Sequence, residues 1–412
     1  MRLGLFATGL LASTLAGCGV GGAPDGVVAD CSSQVALPPG VSTDILFVVD
    51  DSISMREEQE KVAAQLEAFV TALAEGPVAH DFRIGLATTG VSQNAGGCEP
   101  GEPSHYTPFP EESGRLQPAT LPGDEGPGPT VLSWNDPDLL PRFAALVRRG
   151  TSGSGQEMGL EAMRLALTEP LATEQGFLRP GARLLVVVVT DEDDCSDPTG
   201  TALTLGPRCE DVSCSSDADC GAEGSYCLPH DGRRVCFPNF CETSEGRALL
   251  EPVQRYVDLL QNLDDGTGTG RKRETYFAAI APIDVETGDA ARCISSTDEA
   301  SGIGVRYLEA AAGMGERGTT ASICADDYGA ALQEIATLVQ APQVLELEDP
   351  PADARLLRVE LERADGTEVS CRSGDGFSYE APTGGAAARI TLEGKCRLQH
   401  GDQIRIEQIC AG

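Results

Sequence analysis

Asp44-Ile-Leu-Phe-Val-Val-Asp50 sets five consecutive apolar residues between two aspartates. A run of strand length without polar alternation fits a strand buried on both faces, as in a parallel sheet covered by helices. A helical period follows it: Val62, Leu66, Phe69, Val70 and Leu73 recur at three- and four-residue steps, with Arg56, Glu57, Glu60 and Glu67 elsewhere. The alternation then continues as strand 82–88, helices near 139–147 and 156–167, strand 184–190, helix 253–260, strand 276–281 and helix 326–339. Strands alternating with helices predict a doubly wound α/β domain over residues 41–341.

Two stretches interrupt this pattern. Residues 91–137 are rich in Pro and Gly and predict an irregular excursion over the surface. From Cys195 to Cys241, seven cysteines fall in 47 residues. So small a segment cannot bury a core, and residues 195–241 are expected to form a disulfide-held insertion. Beyond Pro342 the period drops to two: Leu357, Val359 and Leu361 alternate with Arg358, Glu360 and Glu362, and Ile404 and Ile406 repeat the pattern. Residues 343–412 therefore predict a small β-rich domain, a sandwich, stapled by some of Cys371, Cys396 and Cys410.

The first 17 residues carry one positive charge, at Arg2, and an apolar run too short to span a bilayer, the layout of an export signal. Leu15-Ala16-Gly17-Cys18 resembles a bacterial lipobox, which implies that Cys18 becomes the acylated first residue of the mature chain. With Gly19 in place of Asp after it, the resemblance points to the outer membrane or cell surface, the lipid being the sole membrane contact. Residues 18–40, mostly Gly, Ala, Pro, Val and Ser, read as a tether. Fourteen cysteines remain as disulfide candidates: Cys31, Cys98, Cys195, Cys209, Cys214, Cys220, Cys227, Cys236, Cys241, Cys293, Cys324, Cys371, Cys396 and Cys410. The even number permits complete pairing in an oxidising compartment. With 64 acidic against 30 basic residues and a net charge of −34, a nucleic-acid partner is excluded and cations are favoured.

Asp50-Asp51-Ser52-Ile53-Ser54 follows the first strand at its C-terminal end, where open α/β sheets bind ligands. Asp and Ser also favour helix N-caps, so the pattern alone is ambiguous. Two further segments single it out: Gly150-Thr151-Ser152-Gly153-Ser154-Gly155 before the helix expected from Gln156, and Asp191 after the four-valine strand Val186–Val189. In this order the three motifs resemble the von Willebrand factor type A (vWA) domain with its metal-ion-dependent adhesion site. The resemblance covers residues 41–341 and implies a doubly wound, Rossmann-like fold. It implies Ser52 and Ser54 as hydroxyl ligands, Asp50 and Asp191 as carboxylates acting directly or through water, and Thr151 as a hydroxyl ligand in the partner-bound state. Hard oxygen donors suit Mg2+, Mn2+ or Ca2+ and not zinc or copper. One water position on such an ion can be taken by a carboxylate of a protein partner.

The chain departs from the family at the third loop, where Glu192, Asp193 and Asp194 follow Asp191 in place of the usual glycine. These acids are expected beside the ion, raising cation affinity and repelling an acidic partner. Because the Cys-rich insertion grows from the same loop, it is expected to form part of the partner-binding surface. His80, His105, His230 and His400 are scattered, and neither a Gly-x-Ser-x-Gly elbow nor His-Glu-x-x-His occurs, which argues against an enzyme. The expected function is metal-dependent protein binding or adhesion by a lipid-anchored envelope protein. The alternatives are a structural envelope lipoprotein whose metal stabilises an assembly and, less favoured, a hydrolase acting outside the cytoplasm.

Overall fold

The computed structural model describes residues 30–31, 42–74, 81–95, 105–168, 176–197, 199, 212–221, 223–230, 233–292, 302–339, 344–347, 353–363, 366–382, 388–396 and 403–409. The export signal, Cys18, Cys98, Cys209, Cys293, Cys410 and the tether other than Asp30–Cys31 lie outside them. In chain order the elements begin with β1 (Asp30–Cys31), β2 (Ser42–Val49), α1 (Arg56–Ala74), β3 (Asp81–Thr88), β4 (Ser92–Ala95), β5 (His105–Pro108) and β6 (Val131–Ser133). Next come α2 (Leu139–Val147), α3 (Gly159–Thr168), β7 (Arg183–Val189), β8 (Ser225–His230), β9 (Arg233–Pro238), α4 (Ser244–Arg247) and α5 (Val253–Asn262). β10 (Thr275–Ala281), α6 (Val305–Gly313), β11 (Gly318–Ser322) and α7 (Gly329–Leu338) follow. The last strands are β12 (Val344–Leu347), β13 (Leu357–Glu362), β14 (Glu368–Ser373), β15 (Gly376–Glu380), β16 (Ala388–Leu392) and β17 (Gln403–Ile409).

The protein is mixed α/β, with a six-stranded sheet in the order β11-β10-β7-β2-β3-β6. Its first five strands are parallel and β6 runs antiparallel to β3. β2 is central, and its alternate side chains enter two cores. Ile45, Phe47 and Val49 pack with residues of α1, α2 and α7, while Leu46 and Val48 pack with residues of α3, α5 and α6. On the first face Phe47 meets Phe69 and Phe143 edge-on, with ring centroids 5.5 and 5.0 Å apart. Burying each such side chain contributes about 2 kcal/mol. The apolar run is unbroken because neither face of β2 meets water.

The structure corrects the expected excursion at 91–137. β4 and β5 pair as a hairpin, and β6 supplies the sixth strand of the main sheet through three residue pairs, from Arg83↔Ser133 to Gly85↔Val131. Two helices begin later than their apolar period suggests. α3 starts at Gly159 because the amide of Gln156 donates to Ser154 Oγ and that of Met158 to Thr89 O, which holds residues 156–158 out of the helix. α7 starts at Gly329, whose amide is taken by Asp327 Oδ1.

A seven-stranded sheet, β1-β17-β13-β14-β15-β16-β12, is built from the C-terminal strands with Asp30–Cys31 on its edge. Its strands form two hydrogen-bonded groups, β1-β17-β13-β14 and β15-β16-β12, joined only at the end of β14. The link between β14 and β15 is narrow, Arg372↔Gly376 and Ser373↔Phe377. Val359, Leu361, Phe377, Ile390, Leu392 and Ile406 form its core around the Cys371–Cys396 disulfide. Gly376 has φ 121°, and a Cβ there would strike Cys396 Sγ. In the insertion, Cys214–Cys227 and Cys220–Cys236 brace the β8–β9 hairpin, and Cys195–Cys241 closes its base. Cys324 is also disulfide-bonded. Among the described residues no helix is long and apolar enough to cross a membrane.

Candidate metal centre

The register of β2 against β7, Val49↔Val189, brings the residues after each strand side by side. Asp50 is fully buried: its Oδ1 accepts from the Ser52 amide at 2.8 Å and its Oδ2 from Thr190 Oγ1 at 2.7 Å. Ser52 precedes the 3-10 turn Ile53–Met55 that leads into α1, and this turn carries Ser54 back over the strand end. Ser52 Oγ and Ser54 Oγ lie 3.0 Å apart, and Ser54 Oγ donates to Asp191 Oδ1 at 3.1 Å. Four of the five expected ligands, Asp50, Ser52, Ser54 and Asp191, thus form one hydrogen-bonded cluster.

Thr151 does not join it. Its loop is docked through Gln59 of α1, whose Nε2 donates to Asp50 O at 2.9 Å and Gly150 O at 3.0 Å, and through the Gly153 amide, which donates to Asp51 O at 2.8 Å. The approach is close enough that a Cβ on Gly153 would strike Asp51 Oδ1. Thr151 itself is partly exposed and makes no side-chain hydrogen bond among the described residues.

The third loop overturns the expectation of three extra acids beside the ion. Asp194 turns inward, accepting from Leu160 N at 2.9 Å and pairing with Arg306 at 3.0 Å. Asp193 Oδ1 accepts from the Arg306 amide at 2.8 Å, near the start of α6. Both acids anchor helices. Only Glu192 stays close enough to act on the cluster, as the second influence after burial on Glu157 and the third, behind burial and Asp50, on Asp191. Glu157 is the residue that sequence reasoning missed. It lies in the segment before α3, is 2% exposed, and feels Glu192, Asp50 and Asp191.

Burial pushes the carboxyl of Asp50 up, and burial together with the neighbouring acids holds Asp191 and Glu157 well above the usual carboxylate range. Asp51, facing Glu112 and Arg149, is pushed up to about 8 by burial, Glu112 and Asp50. The other end of β2 shows what a buried aspartate looks like when protein cations satisfy it. Asp44, also fully buried, takes Arg179 Nε at 2.7 Å and the Arg179 amide at 2.7 Å, with Arg273 NH1 at 3.8 Å. No basic side chain figures among the main influences on Asp50, Asp191 or Glu157.

Carboxylates and hydroxyls without a thiolate or imidazole fit a hard divalent cation. Among the described residues the only trio of His, Cys, Asp or Glu ligand atoms within 4.8 Å of one another belongs to Cys214, Cys220 and Cys236. All three are in disulfides, which leaves no thiolate for zinc. A cation at the loop cluster would therefore need the serine hydroxyls as well as the acids.

No family model and no curated protein matches the chain. Among solved structures it is similar to the pilus adhesin SpaC of Lactobacillus rhamnosus GG in its open conformation, at 11% identity and a TM-score of 0.35, over 91% of this chain and 40% of that one. The pilus adhesin RrgA of Streptococcus pneumoniae gives 10% identity and a TM-score of 0.32 over 93% and 58% of the two chains. Proximal thread matrix protein 1 of the mussel byssus gives 12% and 0.32 over 75% and 48%. The chain thus spans between 40% and 58% of the lengths of these proteins.

Proposed function

We propose that residues 41–341 form a doubly wound, Rossmann-like vWA domain that binds Mg2+, Mn2+ or Ca2+ through Asp50, Ser52, Ser54 and Asp191, joined by Thr151 when a partner is bound, and uses the ion to hold a protein partner. Lipidation of Cys18 would tether it to the outer membrane or cell surface, and the Cys-rich insertion would border the partner-binding face. The observation that carries the metal is the contrast along β2: Asp44 is held by two arginines, whereas Asp50 and Asp191 sit buried beside hydroxyls and other acids. A divalent ion there supplies the missing positive charge and keeps coordination positions for water or a partner's oxygen. Spatial strand order, read from β6 to β11, is 3-2-1-4-5-6 in chain order, and it sets the cluster at the carboxyl ends of the central strands, the usual place for ligands in open α/β sheets.

Calorimetric titration with Mg2+ and Mn2+ tests the reading. The protein should bind one ion, and Asp50→Ala and Asp191→Ala should each weaken binding at least tenfold. Equal affinity in all three proteins sinks it. Partner capture lost on chelation supports adhesion, whereas a melting temperature lowered by chelator with capture unchanged supports the alternative of a structural ion in an envelope assembly.

A further inference from the structure

We propose that Gln59 of α1 is the positioning residue of the second loop: its side-chain amide pins Gly150 beside the end of β2 and so keeps Thr151 off the metal cluster. The proposal rests on the metal reading above and adds to it the residue that governs when Thr151 joins the ion.

Gln59 lies in the first turn of α1 and is 3% exposed. A primary amide offers two N–H donors and an acceptor oxygen. Here Nε2 donates to Asp50 O at 2.9 Å and to Gly150 O at 3.0 Å, while Oε1 accepts from the Gly150 amide at 3.2 Å. The side chain thus pairs with both backbone groups of Gly150, as a neighbouring strand would, and ties them to the backbone of the first ligand. At the far end of the loop the Gly153 amide donates to Asp51 O at 2.8 Å. Thr151 and Ser152 are therefore pinned at both ends to the first loop, and Thr151 stays partly exposed. Gly150 holds this course with φ 92°, in the left-handed region that favours glycine, and no atom lies within 4 Å of the place a Cβ would take.

Asp50 does not depend on Gln59 for its own place. Its amide donates to Val189 O at 2.9 Å, and its carboxylate takes the Ser52 amide and the Thr190 hydroxyl. Removing the Gln59 amide therefore frees the second loop at Gly150 and leaves the cluster standing. The freed segment pivots at Gly153, and a bound ion draws in the Thr151 hydroxyl as one more hard ligand. In the pinned protein the conformation with Thr151 on the ion is scarcely populated, and that arrangement's contribution to affinity is reduced by the same fraction.

The near-isosteric Gln59→Met keeps the volume and the helix while removing all three hydrogen bonds. In Mn2+ titration Thr151→Ala should bind within about twofold of wild type, and Gln59→Met about threefold to tenfold tighter. The double variant Gln59→Met/Thr151→Ala should return to the wild-type value. A bond that only braced the fold would lower the melting temperature without this dependence on Thr151.

Wild-type or weaker affinity in Gln59→Met overturns the assignment, as does a gain that persists in the double variant. A loss of about tenfold in Thr151→Ala alone also overturns it, because Thr151 would then hold the ion with Gln59 in place. Should Gln59→Met fail to fold, Gly150→Ala decides, since alanine resists the left-handed φ and breaks the same pair from the loop side. It should tighten Mn2+ by a similar factor, lost again on adding Thr151→Ala, and unchanged affinity there refutes the proposal. If wild type and Asp191→Ala bind Mn2+ equally, the proposal falls with the metal reading itself.

Discussion

Four consecutive acids at 191–194 meet different fates: Asp191 accepts from a serine hydroxyl, Asp194 takes the Ser196 hydroxyl and pairs with Arg306, Asp193 accepts one backbone amide, and Glu192 stays beside the cluster. A run of like residues in sequence carries no information about which of them faces a site, because successive side chains in a loop point apart. Glu242, at the base of the insertion, extends this point. Its Oε1 accepts from Ile303 N at 3.0 Å, its Oε2 has no partner, and burial pushes the carboxyl up from 4.5 to about 7. Between those pH values the folded protein holds a proton that the unfolded chain has released, so stability falls as pH rises from about 4.5 to about 7. Glu242→Gln keeps an acceptor for Ile303 and removes the charge. It should be more stable than wild type by about 2 kcal/mol at pH 8, after about 1 kcal/mol is lost to its unpartnered amide. At pH 4 it should gain nothing. Urea denaturation at both pH values checks this, and an equal gain at pH 4 and pH 8 would rule out the buried charge as its cause.

Among the elements, the strands that sequence reveals are those buried on both faces. β2, β7 and β10 are legible because no polar alternation is tolerated between two helical layers. β6 has three residues in a Pro- and Gly-rich stretch, and the half-buried Gly-Thr-Thr-Ala-Ser of β11 shows neither period, so pairing in the sheet decides both. The metal loops follow from the strand ends, but Glu157 does not. An acid just ahead of a helix is ordinarily explained by the helix dipole, and only the clamp that delays α3 to Gly159 buries this one near the acids of the other loops. The hairpin β8–β9 is a third kind of element, two strands that are marginal alone and depend on two bridges spanning 13 and 16 residues. Each bridge of that size contributes about 3 kcal/mol. Replacing Cys220 and Cys236 by serine should make the hairpin cleavable by protease with Mn2+ affinity unchanged. Replacing Cys195 and Cys241 should weaken Mn2+ severalfold, because Cys195 lies four residues beyond Asp191 and its amide ties the third loop to the segment before α3. Equal metal affinity in both double variants would show that the insertion's base does not position the site.

At the scale of the whole molecule, the two large sheets have separate cores: the side chains that fill the β12–β17 core share none with the two faces of the six-stranded sheet. Disjoint cores can unfold independently, so scanning calorimetry should resolve two transitions. A ligand that binds only the folded state raises the stability of the unit containing its site, by about 2.7 kcal/mol at 100 times its Kd. In a unit of this size that is a rise of about 4 °C. The net charge of −34 complicates the comparison, since any added salt relieves self-repulsion and stabilises both units to some degree. Ionic strength must therefore be held constant with NaCl, and Asp50→Ala run beside wild type. Under those conditions Mn2+ should raise one transition in wild type and neither in Asp50→Ala, while replacing Cys371 and Cys396 by alanine should lower only the other. A joint shift of both transitions would mean that the sheets unfold as one unit despite their separate cores. The same shift in Asp50→Ala as in wild type would mean that the cation acts through the surface field and not through the three loops.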